Sequence, residues 1–94
     1  MSVDRKILII TTPGCLGCTI QSKNVGEAIK TVKSKFNITK ELEDYRRIDR
    51  SLLRKINAKD YPITLFMIND DIRFKCVGSY PAPVIVRWID LYMK

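Results

Sequence analysis

The chain has no histidine, only three cysteines, and just four glycines and four prolines in 94 residues. Long apolar runs are also missing. The longest near the start is Ile7-Leu8-Ile9-Ile10, whereas a bilayer-spanning helix needs about 20 apolar residues. That run is equally short for a secretory signal core of about 7–15 apolar residues, and no small-residue cleavage site follows it. The resulting expectation is a cytoplasmic, reducing setting with no membrane partner. Three cysteines cannot all pair within one chain, which argues against a disulfide-stapled scaffold and for a redox or metal role of a close pair. Without histidine, a four-ligand zinc site built from this chain alone would have to recruit an acidic side chain. Repeats, linkers and low-complexity stretches are absent too, so residues 1–94 read as a single domain.

What is present is ordinary for a globular protein: 46% hydrophobic and 29% charged residues. A domain of this length buries only about 60–65% of the surface its unfolded chain exposes, so the fold must be compact. The formal net charge is +7. Residues 1–47 carry nine Lys/Arg against five Asp/Glu, and residues 48–94 carry eight against five. An excess spread so evenly along the chain favours acidic partners and solubility. It lacks the stripe or patch expected for nucleic-acid binding.

Hydrophobic patterning orders the elements. Lys6–Thr11 is a continuous apolar run broken by Thr12-Pro13-Gly14, as expected of a strand buried on both faces. Val25, Ala28, Ile29, Val32 and Phe36 then share one face of a helix predicted to run from near Cys15 to about Phe36. Gly26 inside it costs about 1 kcal/mol relative to alanine, with close packing against the sheet as the only reason on offer. Tyr45–Ile48 is a candidate second strand, and 51–58 a short amphipathic helix. Ile63–Ile68 reads as a strand, Asn69-Asp70-Asp71 as a turn and Ile72–Val77 as the returning strand of a hairpin. Pro81 and Pro83 suit the start of a last helix presenting Val84, Ile85, Trp88, Ile89 and Tyr92. The order β-α-β-α-β-β-α implies an α/β fold: a central mixed four-stranded sheet with helices on both faces.

The chemistry concentrates at Cys15-Leu16-Gly17-Cys18. A helix N-terminus carries partial positive charge and unpaired N–H groups, which stabilise a thiolate. In C-x-x-C motifs the first thiol titrates in the range of about 3.5–7.5. Cys15 is expected at the exposed helix tip as the attacking thiol, and Cys18 one turn later, beneath it, as the resolving thiol. Two other readings stand beside this one. The pair could be half of a zinc site, or two small buried hydrophobes. Cys76, in a predicted strand, reads as a packing residue.

With these features the chain resembles the thioredoxin superfamily, on its glutaredoxin-like, small-redoxin side. The likeness runs from the strand Ile7–Thr11 through Thr12-Pro13-Gly14 and Cys15-Leu16-Gly17-Cys18. It continues to Tyr61-Pro62 before the third strand, then to the hairpin, Val77-Gly78-Ser79 and the last helix. The resemblance implies a thioredoxin-like fold and a thiol–disulfide oxidoreductase reducing protein disulfides through Cys15 and Cys18. It implies a cis Pro62 facing the motif, and a Tyr61 backbone able to bind a substrate chain as an added strand. Gly14, Leu16, Gly17, Tyr61, Pro62, Gly78 and Ser79 are then the substrate-binding residues. It implies disulfide-bearing proteins as substrates, glutathione or a reductase as electron donor, and no bound cofactor or metal beyond the redox pair.

The subclass markers differ. Thr12 stands where glutaredoxins resemble one another in a Lys or Arg. Leu16-Gly17 replaces their Pro-Tyr, and Gly78-Ser79 their Gly-Gly. Gly14 stands in place of the thioredoxin Trp, and Ile9 in place of its buried acid. Two further readings from other classes are a redoxin-fold protein-binding module and a metal or cluster site shared across a dimer.

Overall fold

The computed structural model describes residues 3–94. Its elements are β1 (Arg5–Thr11), α1 (Leu16–Thr31), β2 (Ile38–Asp44), a 3₁₀ turn (Tyr45–Arg47), α2 (Arg50–Lys55), β3 (Ile63–Ile68), β4 (Asp71–Val77) and α3 (Ala82–Tyr92). One four-stranded sheet has the order β2-β1-β3-β4. β1 and β2 are parallel, while β1–β3 and β3–β4 are antiparallel. This is the expected mixed sheet and element order.

Alternation along β1 divides the core. Ile7 and Ile9 point to one face, where Val25 and Ala28 of α1, its C-cap Val32, and Ile85 and Ile89 of α3 cover them. Leu8 and Ile10 point to the other face, against Leu52, Leu53 and Ile56 from the α2 segment. With helices on both sides, β1 and β3 are buried on both faces, so Ile7–Ile10 is an unbroken apolar run and β3 is apolar but for Thr64. Among the described residues no helix is long and apolar enough to cross a membrane.

Two local expectations are corrected. The second strand is Ile38–Asp44, and Tyr45–Arg47 is a 3₁₀ turn. β2 is an edge strand in which only Ile38 is buried, so it carries charge where a reader looks for apolar alternation. Asp44 starts the turn by accepting from the Arg46 N–H at 2.9 Å, and its carboxylate holds the Arg46 guanidinium at 2.9 and 2.8 Å. This bonding holds the Asp44 carboxyl down at about 2.

The first helix ends at Thr31, short of Phe36. The adjacent β-branched Thr31 and Val32 are poor helix formers. The Val32 carbonyl then accepts from both Lys35 and Phe36 in a tight turn. That turn returns Phe36 to the core, where the Arg5 guanidinium lies 5.0 Å from its ring centre.

The hairpin bends as well. Asn69 (φ 51°) and Asp70 (φ 68°) are both left-handed, as a tight two-residue turn demands. Phe66 faces Phe74 and Met67 faces Ile72, so Arg73 is a bulge. Ile72 thereby joins the α2 side of the core while Phe74 joins the α1 side.

Candidate functional site: the Cys15–Cys18 disulfide

Cys15 and Cys18 are disulfide-bonded, with Cα atoms 5.3 Å apart. Thr12-Pro13-Gly14 carries the chain out of β1 and back into α1. Gly14 makes that bend at φ 70°, a conformation that favours glycine. Cys15 is the N-cap of α1, and the Cys18 N–H donates to its Sγ at 3.0 Å. This is the contact through which a helix N-terminus stabilises sulfur anion. Cys15 is half-buried and Cys18 is 5% exposed. Leu16 between them is 75% exposed, the most open large hydrophobic side chain among the described residues.

Tyr61–Pro62 is a cis peptide bond. Pro62 is buried, and a Cβ built on Gly17 would lie 3.5 Å from its Cδ, so the Pro62 ring packs directly on the motif. The Pro62 carbonyl accepts from Gly78 N–H at 2.8 Å. Gly78, at φ 97°, thus ties the end of β4 to the start of β3. The β1–β3 ladder stops at Ile63, leaving Tyr61 outside it. The Tyr61 ring rests on Tyr45, with centroids 5.4 Å apart.

Gly17, Pro62 and Gly78 therefore form one contiguous group. Gly14, Cys15, Leu16 and Cys18 line a groove of about 680 Å³ that also takes in Thr11, Leu42 and Lys23. Ser79 stands apart, in a separate depression beside Asn24 and Pro81.

Beneath the site lies a polar network that the sequence reading missed. Gln21 and Thr64 are fully buried. The Gln21 amide donates to Thr64 Oγ1 at 2.9 Å and accepts from Tyr80 N–H at 2.9 Å. One side chain thus joins α1 to β3, two residues beyond Pro62, and to the loop entering α3. A signal existed: Cys18, Gln21, Val25, Ala28 and Val32 continue a single helical stripe. Replacing Gln21 with methionine keeps the volume but strands the Thr64 hydroxyl and the Tyr80 N–H. The expected cost is about 1–3 kcal/mol, read as a lowered urea midpoint; an unchanged midpoint would show that the network does not hold the helix.

Cys76 packs in the core beside this network, 4.0 Å from the Gln21 amide, and burial pushes its thiol up to about 11. Among the described residues no three Cys, Asp or Glu side chains cluster as metal ligands would.

No known protein-family profile matches the sequence, and no curated protein matches it. Solved structures do. A thioredoxin-2, a component of malaria parasite protein secretion machinery, superposes with a TM-score of 0.76 at 20% identity, over 98% of this chain and 86% of that one. A second malarial protein gives 0.73 at 19% identity, over 97% and 99% of the two chains. Chloroplastic thioredoxin z gives 0.67 at 12% identity, over 94% and 77%. These likenesses assign a thioredoxin-like fold, and the Cys15–Cys18 disulfide sits within it at C-x-x-C spacing.

Proposed function

We propose that this thioredoxin-fold chain is a small thiol–disulfide oxidoreductase that reduces protein disulfides. The observation that carries the reading is the asymmetry of the pair: Cys15 caps the helix at the edge of an open groove, while Cys18 is buried beneath it. In the reduced protein the Cys15 thiolate attacks one sulfur of a substrate disulfide. A Cys15–substrate bond forms, and the other substrate sulfur leaves as a thiolate and takes up a proton. Cys18 thiolate then attacks Cys15 Sγ, releasing the second substrate thiolate, which is protonated in turn. Two electrons and two protons pass to the substrate, and the Cys15–Cys18 disulfide remains.

Substrate polypeptide binds at Gly14, Leu16 and Gly17 on one side and at Tyr61, Pro62 and Gly78 on the other. The Tyr61 backbone, outside the ladder, offers the edge for an added strand. Ser79 lies beyond this surface. A thiol donor of the glutathione or flavin-dependent reductase class returns the electrons, and the disulfide itself is the only redox group required. Such turnover belongs in a reducing compartment such as the cytoplasm. Insulin reduction driven by dithiothreitol tests the reading: catalytic amounts of the chain should accelerate precipitation of the insulin B chain, and an uncatalysed rate would contradict it.

A further inference from the structure

We propose that the groove between α1 and β2 docks an acidic, extended stretch of the substrate protein, next to the disulfide being reduced. This rests on the oxidoreductase reading above and names the class of substrate segment that site takes.

The groove begins at Cys15 and Leu16 and continues past Lys23 into a second depression of about 470 Å³ lined by Gly26, Lys30, Lys33 and Phe36. Lys23 lines both, so the two depressions adjoin one another along α1. Lys40 reaches in from β2, its ammonium donating to the Ser22 carbonyl and hydroxyl at 3.2 Å each. It crosses α1 at Gly26, where a Cβ would come within 3.4 Å of Lys40 Nζ.

The charges are sorted by strand alternation. On β2, Ile38, Lys40 and Leu42 face α1, while Glu41 and Glu43 fall on the opposite face. Glu41 pairs there with Lys6 at 3.7 Å. Asp44 is held by Arg46 at 2.8 Å. Lys23, Lys30, Lys33 and Lys40 therefore stand along the groove against Glu27 alone. Leu16 and Leu42, 75% and 46% exposed, give an apolar foothold at the disulfide end.

Spacing sets the occupant. At about 1.5 Å per residue of helix, Lys23 lies about 12 Å and Lys30 about 22 Å along α1 from Cys15. An extended chain advances about 3.3 Å per residue. The matching acidic side chains lie about four to seven residues from the substrate cysteine.

The test uses synthetic peptides with one cysteine held as a mixed disulfide to thionitrobenzoate. Either glutamate or glutamine occupies the positions four to seven residues away. The dithiothreitol-reduced chain is mixed with each, and release of coloured thiolate is followed. The glutamate peptide should react at least about threefold faster at low salt, and the difference should vanish near 0.5 M sodium chloride. In the doubly substituted Lys30→Glu, Lys33→Glu chain the preference should invert. Symmetrical dithionitrobenzoate, which reacts with any accessible thiol, checks that each chain is in its reduced form, and a far-ultraviolet circular dichroism spectrum and urea midpoint matching the wild type show that the variant is folded. Equal rates for both peptides, or a preference blind to salt and to charge reversal, would overturn the docking site while leaving the oxidoreductase reading intact. Failure to reduce any of these disulfides, the small one included, would overturn both.

Discussion

Replacing Cys15 with serine should lower insulin reduction by about a thousandfold or more, to the uncatalysed rate, because a hydroxyl at neutral pH offers almost no anion to attack sulfur. Replacing Cys18 with serine should act differently. The first attack is preserved, since Cys15 remains the N-cap and the residue 18 N–H still reaches its sulfur. Release is lost, so a Cys15–substrate mixed disulfide should accumulate and appear in the intact mass under non-reducing conditions. The asymmetry follows from exposure: Cys15 borders the groove, while Cys18 is 5% exposed. If the two variants trapped substrate equally, the division into attacking and resolving thiols would be wrong.

Much of this site was legible because its signals are local. A strand with a continuous apolar centre, a Thr-Pro-Gly break and two cysteines one turn apart lie within thirteen residues. Pro62 was legible through the resemblance alone, since nothing in the sequence fixes the isomer of a Tyr–Pro bond. What stayed hidden depends on pairing. β2 is recognisable only once β1 lies beside it, because an edge strand with one buried residue shows no apolar pattern. Lys40 joins Lys23, Lys30 and Lys33 only when β2 lies along α1. Gln21 sits on the buried stripe of α1, yet its polarity argues against burial until Thr64 and Tyr80 are seen to satisfy it.

Fold stability should depend most on the aromatic packing on the α1 side of the sheet. Phe66 is fully buried, with ring centres 5.6 Å from Phe74 and 6.1 Å from Trp88. Phe74 stacks in turn on Tyr92 at 4.3 Å and meets Trp88 at 5.0 Å. Phe66 thus links β3 to β4 and α3. Its replacement by alanine removes a ring from a site walled by two strands and a helix, which cannot collapse to fill the space. The expected loss is about 3–5 kcal/mol, a large share of the roughly 5–15 kcal/mol that holds a small domain together. Urea unfolding would read it as a large fall in midpoint; a loss below about 1 kcal/mol would mean that this cluster is not the structural centre.

The most direct test of the central claim is an equilibrium redox titration of the native protein, quenched by alkylation and read by intact mass. Cys15 and Cys18 should gain alkyl groups together, in one two-electron step between about −300 and −120 mV, the span of known thiol–disulfide carriers. Cys76 should stay unlabelled until the protein is unfolded, because burial holds its thiol up at about 11. A pair that remained a disulfide below about −300 mV would be structural rather than catalytic, and would contradict the account.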